Sequence, residues 1–279
     1  MVKHALWMQT GKSHAPRAPI GWTYHAAAWN KLPGAVDPAA IERVILSDDD
    51  MKSRPLPSVL RELPNVRSLS TEPWLLAFGP ADFPKLEELQ IIGTSESVVP
   101  PGPWTMLRSV HARDARLVLT NTADFPALTE VEALSKGSKK VLEVIAALPK
   151  LRKLQIGPVK DEATLAMFAA LPLTAFAINR GSVKSLAPLA KNRTITSFGA
   201  MNCHAFADLG PLAKMPALRK VWFNTCAGIR KPNALLHITG LNDVTFWGCR
   251  DNEGAITKVC KALVARGVAT HSELLDDDD

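Results

Sequence analysis

No run of eighteen apolar residues occurs in the 279-residue chain, so nothing in it reads as a helix that crosses a membrane. The compact motifs of common enzyme classes are missing as well. There is no G-x-x-x-x-G-K-[ST], no G-x-S-x-G and no H-E-x-x-H, and the glycines of 198–210 do not fall at phosphate-loop spacing. Cysteine is scarce: four residues, Cys203, Cys226, Cys249 and Cys260, at separations of 23, 23 and 11. Metal sites ask for close pairs such as C-x-x-C, and none is present. The opening stretch MVKHALWMQTGKSH holds only four apolar residues in a row, Ala5 to Met8, too few for a secretory signal. The expected location is therefore the cytoplasm. No reaction and no cofactor is suggested by any of these readings.

Charge is nearly balanced, with 33 basic and 27 acidic residues giving a net +6. That excess is modest and argues about solubility and nonspecific attraction rather than fold. Hydrophobic residues make up 47% and charged residues 22%, the balance of a folded globular chain.

What the chain does have is a pattern that returns. FPKLEELQI (83–91) and LPKLRKLQI (148–156) are near copies of each other. Their core, apolar-x-x-apolar-x-apolar, begins at Ile41, Val66, Leu86, Leu107, Leu128, Leu151, Leu173, Ile195, Leu218 and Leu241, at steps of 20 to 25 residues. The fourth positions are Val44, Leu69, Leu89, Val110, Val131, Leu154, Phe176, Phe198, Val221 and Val244. The sixth are Leu46, Thr71, Ile91, Ala112, Ala133, Ile156, Ile178, Ala200, Phe223 and Phe246, with Thr71 the one polar exception in all three columns. Positions four and six point to the same side of an extended strand. Position one reaches the same interior from the approach to the strand. One such strand cannot bury its apolar side alone, but a stack of them can. Pro64, Pro84, Pro126, Pro149 and Pro216 lie two residues before position one, where proline ends the preceding turn and biases its neighbour to extended structure. Between strands, 138–148 and 161–171 carry apolar residues at helical spacing, whereas 100–106 and 228–238 contain proline and read as shorter, irregular crossings.

This pattern resembles the leucine-rich repeat, L-x-x-L-x-L-x-x-N/C, over residues 38–250. The ninth position is cysteine in the last three repeats (Cys203, Cys226, Cys249). It departs from Asn or Cys in the others, which have Asp49, Trp74, Thr94, Ala115, Lys136, Val159 and Gly181 there. The resemblance implies an α/β leucine-rich-repeat solenoid of about ten repeats. Its curved parallel sheet would line a concave face, and helices and turns would form the convex face. Residues 1–37, with Trp7, Trp22, Tyr24 and Trp29, are expected to cap the first strand, although their structure is not legible. In 251–270, Ile256, Val259, Cys260 and Leu263 at i, i+3, i+4 and i+7 describe a capping helix stopped by Gly267. The acidic segment 271–279 is expected to be solvated and disordered.

The chemistry-bearing residues are read against this frame. The 23-residue cysteine steps mean equivalent buried positions on neighbouring coils, hence structural thiols. A metal site, a disulfide and a Cys203-His204 nucleophile–base pair are the lesser readings. Positions three, five and seven alternate with the buried ones and face outward. Glu72, Glu88, Glu130 and Glu132 make this face acidic in the first half, beside His111 and Arg113, whose cluster reads as a solvated patch rather than an acid–base site. In the last three repeats the outward positions include Met201, Trp222, Asn224 and Trp247. Neighbouring exposed tryptophans are enriched among residues that dominate protein interfaces. Two other readings stand beside that one: a terminal segment folded over the tryptophans, or a register shifted by one, which turns them inward.

The resemblance extends to bacterial stand-alone repeat proteins rich in Ala, Pro and Trp. It implies a monomeric, noncatalytic protein-binding module of the adaptor, effector or toxin-inhibitor type. The expected contact residues are Met201, Trp222, Asn224, Trp247, Glu88, Glu130, Glu132, His111 and Arg113. No membrane and no metal is expected. Nucleic acid is disfavoured on the acidic face, and the alternative is association through basic connecting segments such as 136–140 and 228–232 on the convex side.

Overall fold

The computed structural model describes residues 4–10, 37–48, 58–73, 76, 78–135, 137–204, 208–250 and 252–278. The chain forms two compact units, Met1–Lys150 and Leu151–Asp279.

The first unit holds strands β1 (His4–Thr10), β2 (Ile41–Asp48), β3 (Ser68–Thr71), β4 (Glu88–Ile91), β5 (Glu96–Val98), β6 (Ser109–Ala112), β7 (Arg116–Val118) and β8 (Glu130–Ala133), then helix α1 (Lys139–Ala146). Its main sheet runs β1-β2-β3-β4-β6-β8. The β2, β3, β4, β6 and β8 strands are parallel and in one register, Val44–Leu69–Leu89–Val110–Val131 across the rungs. These are the fourth positions of the repeat, and each is at most 1% exposed. Thr71, the one polar residue of the columns, is fully buried, and its hydroxyl donates to the carbonyl of Glu72. β1 lies antiparallel on β2. Of residues 1–37, expected to cap the first strand, His4–Thr10 form this edge strand. Trp22, Tyr24 and Trp29 lie outside the described residues.

β5 and β7 pair in a second, two-stranded parallel sheet inside the connecting segments. Its residues show a buried–exposed alternation too short to read from sequence. The segment 100–106, expected to be irregular, is tied down by Trp104, which is 2% exposed and donates its indole N–H to the Pro100 carbonyl at 2.9 Å.

The second unit contains β9 (Lys153–Ile156), α2 (Glu162–Ala169), β10 (Ala175–Asn179), β11 (Ser197–Met201), β12 (Lys220–Asn224), β13 (Asp243–Trp247), α3 (Glu253–Val264) and β14 (Ala269–Ser272). All six strands are parallel neighbours in chain order, with Leu154–Phe176–Phe198–Val221–Val244 across the rungs. Their rings build the interior: Phe223 stacks on Phe246 at 5.2 Å, and Phe176 tilts against Phe168 and Phe198. Burying each such side chain contributes roughly 1.5–3 kcal/mol.

Helices and 3-10 turns return the chain between strands, as parallel pairing requires. α1 and α2 begin where Ser138 and Asp161 accept the backbone N–H groups of Val141 and Thr164. Segment 228–238 resolves into the 3-10 helix Pro232–His237. α3 buries Ile256, Val259, Cys260 and Leu263, the four residues expected. The chain does not stop after Gly267, however. His271 and Ser272, assigned by sequence to a disordered tail, belong to β14 on the edge of β13, and Glu273–Asp278 follow as a 3-10 helix. β14 carries no repeat motif, which is why the pattern gave no sign of it.

Two details fix how each coil of the second unit turns away from its strand. Arg180, Asn202, Thr225 and Gly248, at position eight, adopt left-handed backbone with φ of 53, 53, 50 and 64°. The first three donate their N–H to the carbonyl that closes the next strand: Arg180 to Met201, Asn202 to Asn224 and Thr225 to Trp247. Gly248 has no further repeat to reach, and its N–H goes instead to the Glu273 carboxylate at 2.9 Å. The second detail is Asn192. Its buried amide donates to the carbonyls of Ala169 and Leu171 and accepts the N–H groups of Thr194 and Ile195.

Candidate interaction surface

In each unit the outward positions form rows on the sheet face turned away from the helices. In the first unit that face is a lattice of polar contacts. Arg43 donates to Ser68 and Ser68 to Glu88, while the Arg43 guanidinium also sits 3.6 Å from the Glu88 carboxylate. Ser70 donates to Gln90 at 2.9 Å. His111 Nδ1 lies 3.1 Å from one Glu132 oxygen, and Arg113 Nε donates to the other at 3.1 Å.

The hydrogen bond to Glu132 is the main cause that lifts His111 above its ordinary value; burial opposes it, and the charges of Glu132, Glu130 and Glu88 add to it. For Glu132, burial alone would push the carboxyl up. The His111 hydrogen bond and the Arg113 charge outweigh burial and hold it below the usual range. The acidic character read from Glu88 and Glu132 is therefore largely compensated by Arg43, Arg113 and His111. Two outward positions of this unit are not open: Leu134 is 4% exposed and Ser70 5%.

In the second unit the rungs of position five run Gln155, Ala177, Gly199, Trp222, Thr245 and His271. Trp222 lies half-buried across Gly199, so close that a Cβ at that glycine would overlap Cε2 and Cζ2 of the indole. Trp247 is 58% exposed, more than any other large apolar residue among those described. Phe223 and Phe246 fill the interior, so the tryptophans face out and the register is the one read from the repeat. No described segment folds over Trp247. Met201 and Asn224 are half-buried beside it, and Asn224 Oδ1 accepts the Thr225 hydroxyl at 2.8 Å. Lys220 pairs with Asp243 at 2.6 Å, a contact the sequence did not single out. Asn179, expected outward, is 2% exposed and accepts from the Asn202 amide.

The cysteines are free thiols, all buried. Cys203 receives the Gly181 N–H, and the thiols of Cys226 and Cys249 are directed at strand-end carbonyls. The hydrogen bond to Cys203 pushes the Cys226 thiol up to about 12, and burial raises Cys260 to about 11. Cys203, hydrogen-bonded to Cys226, is held below its ordinary value. Cys203, Cys226 and Cys249, fully buried, act as inward hydrogen-bonding groups at the ninth position. Among the described residues no cluster of three His, Cys, Asp or Glu is arranged to hold a metal ion.

Five coils in each unit, in one repeat register within the unit, with strands on one face and helices or 3-10 turns behind them, decide the architecture. It is a leucine-rich-repeat fold. No family model matches the sequence, and no curated protein does. Two solved structures from Listeria monocytogenes are similar in chain trace. Internalin C2 is 20% identical, with 61% of this chain and 84% of that one covered and a TM-score of 0.43. Internalin F is 14% identical, with 82% and 79% covered and a TM-score of 0.46. Among the described residues, no helix is long and apolar enough to cross a membrane.

Proposed function

We propose that the protein is a noncatalytic binding module that docks another protein on its open sheet faces. Trp247 and Trp222 are the anchors in the second unit. The observation that carries the reading is the exposure of Trp247 beside an indole already immobilised on Gly199. A rigid aromatic surface loses little conformational freedom on binding, and buried tryptophans dominate the energetics of many interfaces. Met201 and Asn224 flank the anchors. In the first unit Glu88, Glu130, Glu132, His111 and Arg113 offer a preorganised polar surface suited to hydrogen-bonding and charged groups. As an adaptor, effector or toxin inhibitor, the protein works in the cytoplasm.

The test is to identify proteins retained by the native chain from host extract, purify one, and measure its affinity for three forms: native, Trp247→Ala and Trp222→Ala. The expected loss is roughly thirtyfold or more for Trp247→Ala. A purified binder held equally by all three forms, with folding intact, removes this face from consideration.

A further inference from the structure

The second unit also carries a row of uncompensated cations, on the rim where its strands begin. Position two of each coil stands just before a strand: Arg152, Thr174, Thr196, Arg219 and Asn242. Backbone amides link them in order, Thr174 to Arg152, Thr196 to Thr174, Arg219 to Thr196 and Asn242 to Arg219. The preceding helices end on the same rim. The 3-10 helices Ala187–Lys191 and Gly210–Lys214 close on lysines, and α3 is followed by Arg266. Arg152, Lys191, Arg193, Lys214, Arg219 and Arg266 are all exposed.

None of the six is ion-paired among the described residues. The Asp243 carboxylate, at the next position along the rim, is engaged by Lys220. Cations near helix C-termini are favourable by themselves, but two five-residue 3-10 turns do not account for arginines at the strand starts. Three of the guanidiniums are held in place by neutral carbonyls that leave their charge intact. Arg152 donates Nη1 to Leu151, Arg219 to Pro216, Leu218 and Thr239, and Arg266 to Leu236. Their remaining N–H groups are free to bind a ligand.

We infer that this rim binds the phosphodiester backbone of nucleic acid without reading sequence. Six strands at about 4.8 Å spacing set the cations along roughly 24 Å, the length of about seven base pairs of duplex. Guanidiniums match phosphate oxygens in fork geometry. The segments that form the rim contain no Trp, Tyr or Phe, so they offer neither a stacking platform for unpaired bases nor the aromatic anchors of a protein interface. Phosphate contact is the recognition that remains. This surface is separate from the tryptophan face and from the connecting segments 136–140 and 228–232.

The experiment is fluorescence anisotropy of the full chain with a labelled duplex DNA of about 20 base pairs and arbitrary sequence, titrated with salt from about 50 to 300 mM. Binding is expected at low salt, equal for unrelated sequences, with a log–log salt slope near −4 for about four neutralised phosphates. Lys191→Glu with Lys214→Glu should weaken it about tenfold and flatten the slope. The charge-matched control, Lys184→Glu with Lys258→Glu, should retain the affinity. Absence of binding at the lowest salt overturns the inference, and so does an equal loss in the control. Equal retention by phosphatidylserine vesicles or polyglutamate at the same salt overturns the assignment to nucleic acid. Trp247→Ala should leave duplex affinity unchanged, so the outcome here is independent of the docking face.

Discussion

Trp222 rests on Gly199, its partner one strand away, and the glycine has no room for a methyl group beneath the indole. Gly199→Ala must therefore lift or rotate the ring. The expected cost is about 1–3 kcal/mol, with a red shift in tryptophan emission as Trp222 enters water. Chemical denaturation and fluorescence of the variant check both. An unchanged emission maximum together with native stability would show that the ring does not use this seat.

Removing the exposed anchor should have the opposite profile. Trp247→Ala is expected to change unfolding stability by no more than about 0.5 kcal/mol, because more than half of the side chain is already in water. A loss of several kcal/mol in denaturant titration would mark Trp247 as structural and remove its claim to be a binding residue.

Asn192 is a buried polar residue that ties down backbone groups of the second unit. Its side chain satisfies two carbonyls and two amides at the end of a 3-10 helix, and it is 5% exposed. Asn192→Ala leaves these groups without partners, at an expected cost of about 3 kcal/mol. Asn192→Asp should restore the two bonds to the amides but not those to the carbonyls, and so recover part of the loss. Urea titrations of the three forms measure this ordering.

The His111–Glu132 pair should make stability depend on pH in two directions. His111 is raised above its ordinary 6.5, so its contribution is full below that value and fades as pH rises through the folded value. Glu132 is lowered from its ordinary 4.5, so its contribution is present above that value and fades as pH falls through the folded one. Glu88 on β4, Glu130 on β8 and Arg113 just after β6 share the same field. The stability difference between native and His111→Gln should thus be larger at about pH 5.5 than at about pH 8.5. A difference that does not vary between the two would exclude the pair as a contributor.

The repeat pattern made the strands legible because period and burial coincide. Every fourth-position residue from Val44 to Val244 lies on a rung with its counterpart in the same unit. The outward side was legible only in direction. Alternation says that Trp222 and Trp247 face out, yet it cannot say that one lies flat on a glycine and the other stands free. Nor could it foresee that Glu132 is clamped between His111 and Arg113, since that depends on side-chain reach between strands 21 and 19 residues apart. β5, β7 and β14 escaped because three- and four-residue strands without a recurring motif carry too little periodic signal.

The Glu273 carboxylate seals the last coil by supplying, from a side chain, the acceptor that a following strand would have supplied from its backbone. Lengthening this protein by copying a coil onto its finish would displace that carboxylate and return the Gly248 amide to a backbone carbonyl, as for Arg180, Asn202 and Thr225.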